Sequence, residues 1–256
     1  MSTRSYDRGV PDRDRHVGLE TCFNFRDLGG YETVDGQQVR WQAVYRSDSL
    51  HRLRGADLES AQELGLRTVI DLRATAELDR HGRFAHADAV AFHHLPMIEE
   101  GSVHFKPLQP DDPEPVPGVG YVGMATTGRA SIAAALQVIA HGEHAVVFHC
   151  AAGKDRTGIV AALLLSSLGV PDELIGADYH LSERAIRPAL AWAEENEPAM
   201  VAEIGQLPEW AFLAREPTVL AFLDMLRDRH GSIEAYLVDA GVEIATLDTL
   251  RARLLA

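Results

Sequence analysis

Lysine is nearly missing from this chain: of 24 basic residues only Lys106 and Lys154 are lysine, so arginine is the usual cation. Cysteine is equally scarce. Cys22 and Cys150 lie far apart, with no C-x-x-C or Cys/His spacing, which indicates neither a disulfide framework nor a structural zinc site. No apolar run approaches the roughly 18 residues of a membrane span, and the charged opening MSTRSYDRGVPDRDRH lacks the apolar stretch of a signal peptide. A reducing cytoplasm is the expected compartment, with leaderless secretion left open. Positive charge is short overall, the formal net charge being -14. That balance argues against a nucleic-acid partner and against binding to anionic membrane surfaces, both of which need clustered cations. An anionic substrate must then be met by a local basic site. The twelve histidines are scattered, and neither His93-His94 nor His141 with His144 has a metal-ligand spacing, so no metal or other cofactor is expected.

What is present suits one sizeable core. With 256 residues, 46% of them apolar, the expectation is a mobile segment over residues 1–17 and a single domain over 18–256. Residues 38–45 read as a strand, 55–64 as a helix stopped by Gly65, and 67–72 (RTVIDL) as a buried strand. A further strand at 89–95 precedes a proline-containing loop over 99–120. A helix over 121–140 leads to a strand at 145–148, and the apolar run 159–168 reads as a buried helix. Beyond Gly169 the pattern is helical, divided by Pro188, Pro198, Pro208 and Pro217. Strands alternating with helices predict an α/β fold with a mostly parallel central sheet flanked by helices, followed by a helical C-terminal part.

The chemistry concentrates in Phe148-His149-Cys150-Ala151-Ala152-Gly153-Lys154-Asp155-Arg156-Thr157-Gly158. This stretch joins a strand to a helix, where backbone N–H groups converge and the helix end favours an anion. Cysteine attacks only as thiolate, a form favoured at a helix N-terminus beside cations, and Cys150 has both influences. Arg156 can fold back over the loop and grip two phosphate oxygens with its planar fork. Ala151, Ala152 and Gly153 let the main chain approach the phosphate, Thr157 can hydrogen-bond the departing sulfur, and Gly158 permits close packing where the helix starts. Asp155 is the nearest carboxyl in sequence and the expected general acid; Asp71 or a carboxyl of the 99–120 loop remains an alternative donor. Asp71 and Arg73 end a predicted strand, where open α/β sheets place their ligand crevices, although a buried ion pair explains them equally. His149 reads as a brace for the loop, Cys22 as a core residue, and Arg26, Asp27, Arg46 and Asp48 as a salt-bridged scaffold around it.

The pattern C-x-x-x-x-x-R-T after a His-ended strand resembles the protein tyrosine phosphatase superfamily. HCAAGKDRTG together with NFRDLGGY, YRSDSL and VIDLR is similar to the bacterial atypical tyrosine and lipid phosphatases of triple specificity, with weaker likeness through Asp178-Tyr179-His180-Leu181-Ser182. The resemblance implies a cysteine phosphatase fold and phosphorylated protein or phosphoinositide substrates. It links Lys154 with phosphoinositide activity and Asp155 with proton donation, and it suggests a helical lid over about 185–216, with Trp192, Met200, Trp210 and Phe212. The implied mechanism is double displacement through a cysteinyl phosphate. A rhodanese-like sulfurtransferase and an inactive phosphate-binding module are the rival readings.

Overall fold

The computed structural model describes residues 15–99, 109–143, 145–198, 201–202 and 205–256. Residues 1–14, the 100–108 part of the proline-containing loop, His144 and Met200 lie outside them. Arg15 and Val17, expected in a mobile terminus, instead pair with the backbone of Phe25 and Asp27, and Arg15 is buried against the Tyr31 ring.

Five short strands form the sheet: β1 Arg26–Asp27, β2 Val44–Ser47, β3 Thr68–Asp71, β4 Ala91–His94 and β5 Val146–His149. Their spatial order is β1-β2-β5-β3-β4, with β1 antiparallel to β2 and the other pairs parallel. This is the mostly parallel α/β architecture that the alternating pattern predicts.

Side-chain alternation divides the core into two layers. Val44, Ile70, Val146 and Phe148 face one layer; Tyr45, Val69 and Val147 face the other. The first layer is covered by α3 Val119–Thr127, α4 Arg129–His141, α5 Asp155–Ser167, α6 Asp172–His180 and three C-terminal helices, α8 Glu216–His230, α9 Ile233–Asp239 and α10 Ile244–Leu254. On the second layer α1 Gly55–Glu63 packs through Leu58 and Ala61. Two further α-helices are α2 Thr75–His81 and α7 Glu183–Asn196. The run 159–165 is buried throughout, since α5 lies between the sheet and the C-terminal helices. Burying each large apolar side chain there contributes about 1.5–3 kcal/mol.

Two elements differ from the sequence expectation. The 121–140 helix is broken at Gly128, where a Cβ would sit 2.8 Å from the Met97 carbonyl oxygen, so the chain turns where only glycine fits. The strand expected at 38–45 begins only at Val44; Val39 bridges to Leu255, and Gln42 turns with φ 61° before β2 starts.

In the register, His149 stands between Ser47 of β2 and Asp71 of β3. The loops that leave the carboxyl ends of these three strands are thereby gathered at one place, where open α/β sheets form their crevices.

Candidate active site

The loop from Cys150 to Lys154 runs from the end of β5 to the first turn of α5. Each of its first four carbonyls is tied to the surrounding scaffold. The Cys150 carbonyl accepts from the Ser49 hydroxyl (3.1 Å), that of Ala151 from the Ser49 amide (3.0 Å), that of Ala152 from Asn24 Nδ2 (2.9 Å), and that of Gly153 from an Arg46 Nη (2.8 Å). In a planar trans peptide the N–H points opposite to the C=O. Four carbonyls drawn outward therefore leave the N–H groups of Ala151, Ala152, Gly153 and Lys154 pointing into the loop. The motifs NFRD and YRSDSL supply the residues that do the drawing.

Small residues make the curl possible. Gly153 has φ 67°, and a Cβ there would lie 2.6 Å from the Ser47 carbonyl oxygen. Gly158 faces the Tyr179 ring, where a Cβ would come within 3.0 Å. Loop and helix thus rest directly on β2 and α6.

The scaffold beneath is a buried ionic cluster. Asp178 accepts from Arg26 Nε (3.0 Å), Arg46 Nη1 (2.5 Å) and the Tyr31 hydroxyl (3.1 Å). Burial opposes its charge, but Arg26 and Arg46 hold its carboxyl well below the ordinary range. Arg26 also donates to the Asn24 side chain, and Asp48 accepts from the Asn24 amide (3.0 Å). The scaffold reading of Arg26, Arg46 and Asp48 fits this geometry, and Asp27, which accepts from the Gly29 and Gln42 amides, holds the turn beside them.

The two cysteines differ in setting. Cys150 is buried at the base of the loop. Cys22 donates to Asp48 (2.7 Å), and burial together with the Asp48 charge pushes its thiol up, away from the thiolate form.

Arg156, in the first turn of α5, presents both Nη atoms to the carboxylate of Glu77 on α2, with Nη2 at 2.9 Å from Oε1. Burial works against the guanidinium charge, but the Glu77 hydrogen bonds and the charges of Cys150, Glu77 and Asp155 keep its pKa above the ordinary value. Glu77 also accepts from the Ala74 amide (2.8 Å), which anchors it at the start of α2. Among the described residues no acceptor meets the Nε of Arg156. Sequence reasoning gave Glu77 no role, because its partner is 79 positions away.

Asp155 carries two donors on one oxygen: Lys154 Nζ at 2.8 Å and the Tyr121 hydroxyl at 2.5 Å from Oδ1. Burial favours the neutral acid, yet Lys154, Tyr121 and Arg156 hold its pKa down. Lys154 also donates to the Leu213 carbonyl (3.2 Å); burial lowers its pKa, but Asp155 outweighs that and raises it.

Thr157 is fully buried, and among the described residues its Oγ1 has no hydrogen-bond partner. His149 sets Nδ1 3.2 Å from the Cys150 carbonyl, and burial pushes its imidazole toward neutrality. Asp71 and Arg73 form a buried ion pair, Nη2 to Oδ2 at 2.6 Å, with Arg73 reaching on to the Gly82 carbonyl and Asp71 Oδ2 3.6 Å from His149 Nε2. Among the described residues no three His, Cys, Asp or Glu side chains group as metal ligands.

Described residues of the segment 185–216 lie close to the site. Leu213 accepts from Lys154, and Trp192 on α7 lies 6.4 Å from the Phe23 ring, one residue before Asn24. Trp210 donates to the Asp112 carbonyl (2.9 Å). Among the described residues no helix is long and apolar enough to cross a membrane.

Comparison with known proteins agrees with this chemistry. The tyrosine phosphatase family matches residues 17–256. A provisionally named tyrosine-protein phosphatase of Cupriavidus necator is 35% identical over 89% of this chain and 80% of its own. The triple specificity protein phosphatase PtpB of Mycobacterium tuberculosis is 27% identical over 93% of this chain and 98% of its own. A tyrosine-protein phosphatase of Nostoc commune is 30% identical over 83% of this chain and 74% of its own. With a family match that takes in the whole sheet, the loop and the C-terminal helices, the chain belongs to the tyrosine phosphatase family and is a phosphatase acting on phosphorylated substrates.

Proposed function

We propose that the chain hydrolyses phosphomonoesters without a metal, through a cysteinyl phosphate on Cys150. The observation that carries this reading is the set of four tied loop carbonyls, which leaves the N–H groups of Ala151 to Lys154 on the inner side of a loop that begins at a buried cysteine. Those amides and the Arg156 guanidinium match the equatorial oxygens of a transferring phosphoryl group and supply charge stabilisation of the kind magnesium gives elsewhere. Cys150 attacks phosphorus and the ester oxygen leaves with a proton from Asp155. Water, deprotonated by the same carboxylate, then releases phosphate and returns the sulfur, which the Thr157 hydroxyl can receive.

Asp155 is held ionised in the free site, but a bound phosphate dianion raises the pKa of a neighbouring carboxyl, so substrate itself brings the acid form. Asp71 is the poorer donor because Arg73 occupies both its oxygens. The substrates we propose are phosphotyrosine and, through the extra cation of Lys154, phosphoserine, phosphothreonine or phosphoinositides; the name of the Mycobacterium tuberculosis relative supports that breadth. We extend the reading to a lid over 185–216, supported by the Leu213 and Trp192 contacts.

Hydrolysis of para-nitrophenyl phosphate in EDTA tests the core of the proposal. Wild type should turn over and Cys150→Ser should not. A wild type with no turnover would move sulfur transfer or phosphate binding ahead.

A further inference from the structure

Two tyrosines outside the loop meet its carboxylate. Tyr121, on α3, is buried with its ring edge-on to Phe222 of α8 (6.1 Å) and to Tyr179 of α6 (6.0 Å). Its hydroxyl is 2.5 Å from Asp155 Oδ1 and 2.5 Å from the Tyr179 hydroxyl. A phenol has one proton to donate. With Tyr121 donating to the carboxylate, Tyr179 must donate to Tyr121, so the hydrogen bonds run in one direction, from α6 through α3 to the loop. Burial pushes both phenols up, so they serve as donors and not as acids.

The direction matters because Lys154 also donates to Oδ1. Both donors converge on one oxygen, and among the described residues none reaches Oδ2. A carboxylate held in this way keeps Oδ2 as the oxygen that takes up and delivers a proton. The groups facing it are Lys154 from the loop, Arg156 from α5, Tyr121 from α3 and, behind Tyr121, Tyr179 from α6; α8 contributes only the Phe222 ring, and Glu77 of α2 faces Arg156.

We propose that Tyr121, backed by Tyr179, is a positioning residue for proton transfer: it fixes Asp155 through Oδ1 and so assigns the proton for the leaving oxygen to Oδ2. This rests on the reading of Asp155 as general acid. A chain of polarised hydroxyls strengthens each bond in it, so removing the remote member weakens the near one.

The test measures kcat and KM for aryl phosphates with leaving groups from good to poor, and the pH dependence of kcat, in Tyr121→Phe, Tyr179→Phe and Asp155→Asn. Asp155→Asn should lose most on poor leaving groups and lose the alkaline limb of the profile. Tyr121→Phe removes a donor to the charged form, so its alkaline limb should move to higher pH. Its kcat on poor leaving groups should fall about tenfold, the scale of one hydrogen bond to a charged group, with KM little changed. Tyr179→Phe should show the same shift, smaller, and it covers the case in which Tyr121→Phe fails to fold. If Asp155→Asn steepens the leaving-group dependence while both tyrosine variants keep the wild-type limb and slope, the inference fails alone. If Asp155→Asn shows no such dependence, the general-acid reading falls and takes the inference with it.

Discussion

Asp178 and Asp155 are held by the same kinds of group, a tyrosine hydroxyl and basic side chains, and both are kept below the ordinary carboxylate pKa, yet their surroundings differ. Asp178 has two arginines and Tyr31, and its side chain is 2% exposed; Asp155 has one lysine and Tyr121, and its side chain is 35% exposed. The first is shared by two bidentate-capable cations and serves as a fixed counter-charge beneath the loop. The second keeps, among the described residues, one oxygen without a donor, the one to which the proposed mechanism assigns the proton for the leaving group. Saturation makes a carboxylate a strut; incomplete saturation leaves it able to exchange a proton.

The largest effect expected from breaking this contrast is on stability. Asp178→Asn leaves Arg26 and Arg46 buried without a counter-charge, and should cost about 3–5 kcal/mol of unfolding free energy, read by urea denaturation. Asp155→Asn, at the half-open site, should cost far less. The pH dependence has a definite sign. Because the folded pKa of Asp178 is depressed, its contribution is fully present above the unfolded carboxylate value near 3.8 and is lost as pH falls toward the folded value. Wild type should therefore lose stability more steeply than Asp178→Asn below about pH 4. Parallel acid limbs in the two proteins would show that the cluster does not depend on this charge.

A third carboxylate sharpens the comparison by being shared between structure and chemistry. Glu77 caps the start of α2 and fixes the plane of Arg156. Glu77→Gln keeps the shape and removes the charge, so the guanidinium should lose its fixed plane and kcat/KM for an aryl phosphate should fall about 10- to 100-fold, the range of one or more charge-assisted bonds. A rise in kcat/KM would show instead that Glu77 competes with phosphate for the arginine.

The readable part of this molecule is the part in which one short stretch holds its own explanation. Cys150, Lys154, Asp155 and Arg156 lie within one loop and the helix turn that follows it, as their spacing in the sequence implies, and the apolar runs at 67–72 and 145–148 locate two neighbouring strands to within a residue or so. Asp178 and Tyr179 carried only a weak family likeness, and Tyr121 lay inside an ordinary apolar helix pattern. Their contacts come from the packing of α3 and α6 against α5, which local periodicity does not encode. Asp71 and Arg73 are ambiguous in the sequence because a strand end is both a ligand crevice and a convenient place for an ion pair; in the structure they bond each other. The break at Gly128 is hidden in the sequence because glycine inside a helical pattern is tolerated, and the close approach of Met97 that excludes a Cβ there comes from tertiary packing.

The smallest expected effect concerns Lys154, the one cation of Asp155 that is not arginine. An ammonium has three donors, and among the described residues two of them are committed, to Asp155 and to the Leu213 carbonyl. On the proposed function the third meets a second phosphate on the same substrate, which a phosphoinositide offers and para-nitrophenyl phosphate does not. Lys154→Ala should therefore lower hydrolysis of a phosphoinositide about tenfold more than that of the aryl phosphate, the value of one hydrogen bond to a charged group. Steady-state kinetics on both substrates, with matched pH profiles, gives the ratio. Equal loss on the two would mean that Lys154 acts only through Asp155, and the difference between Asp155 and Asp178 would then reduce to how many cations each one holds.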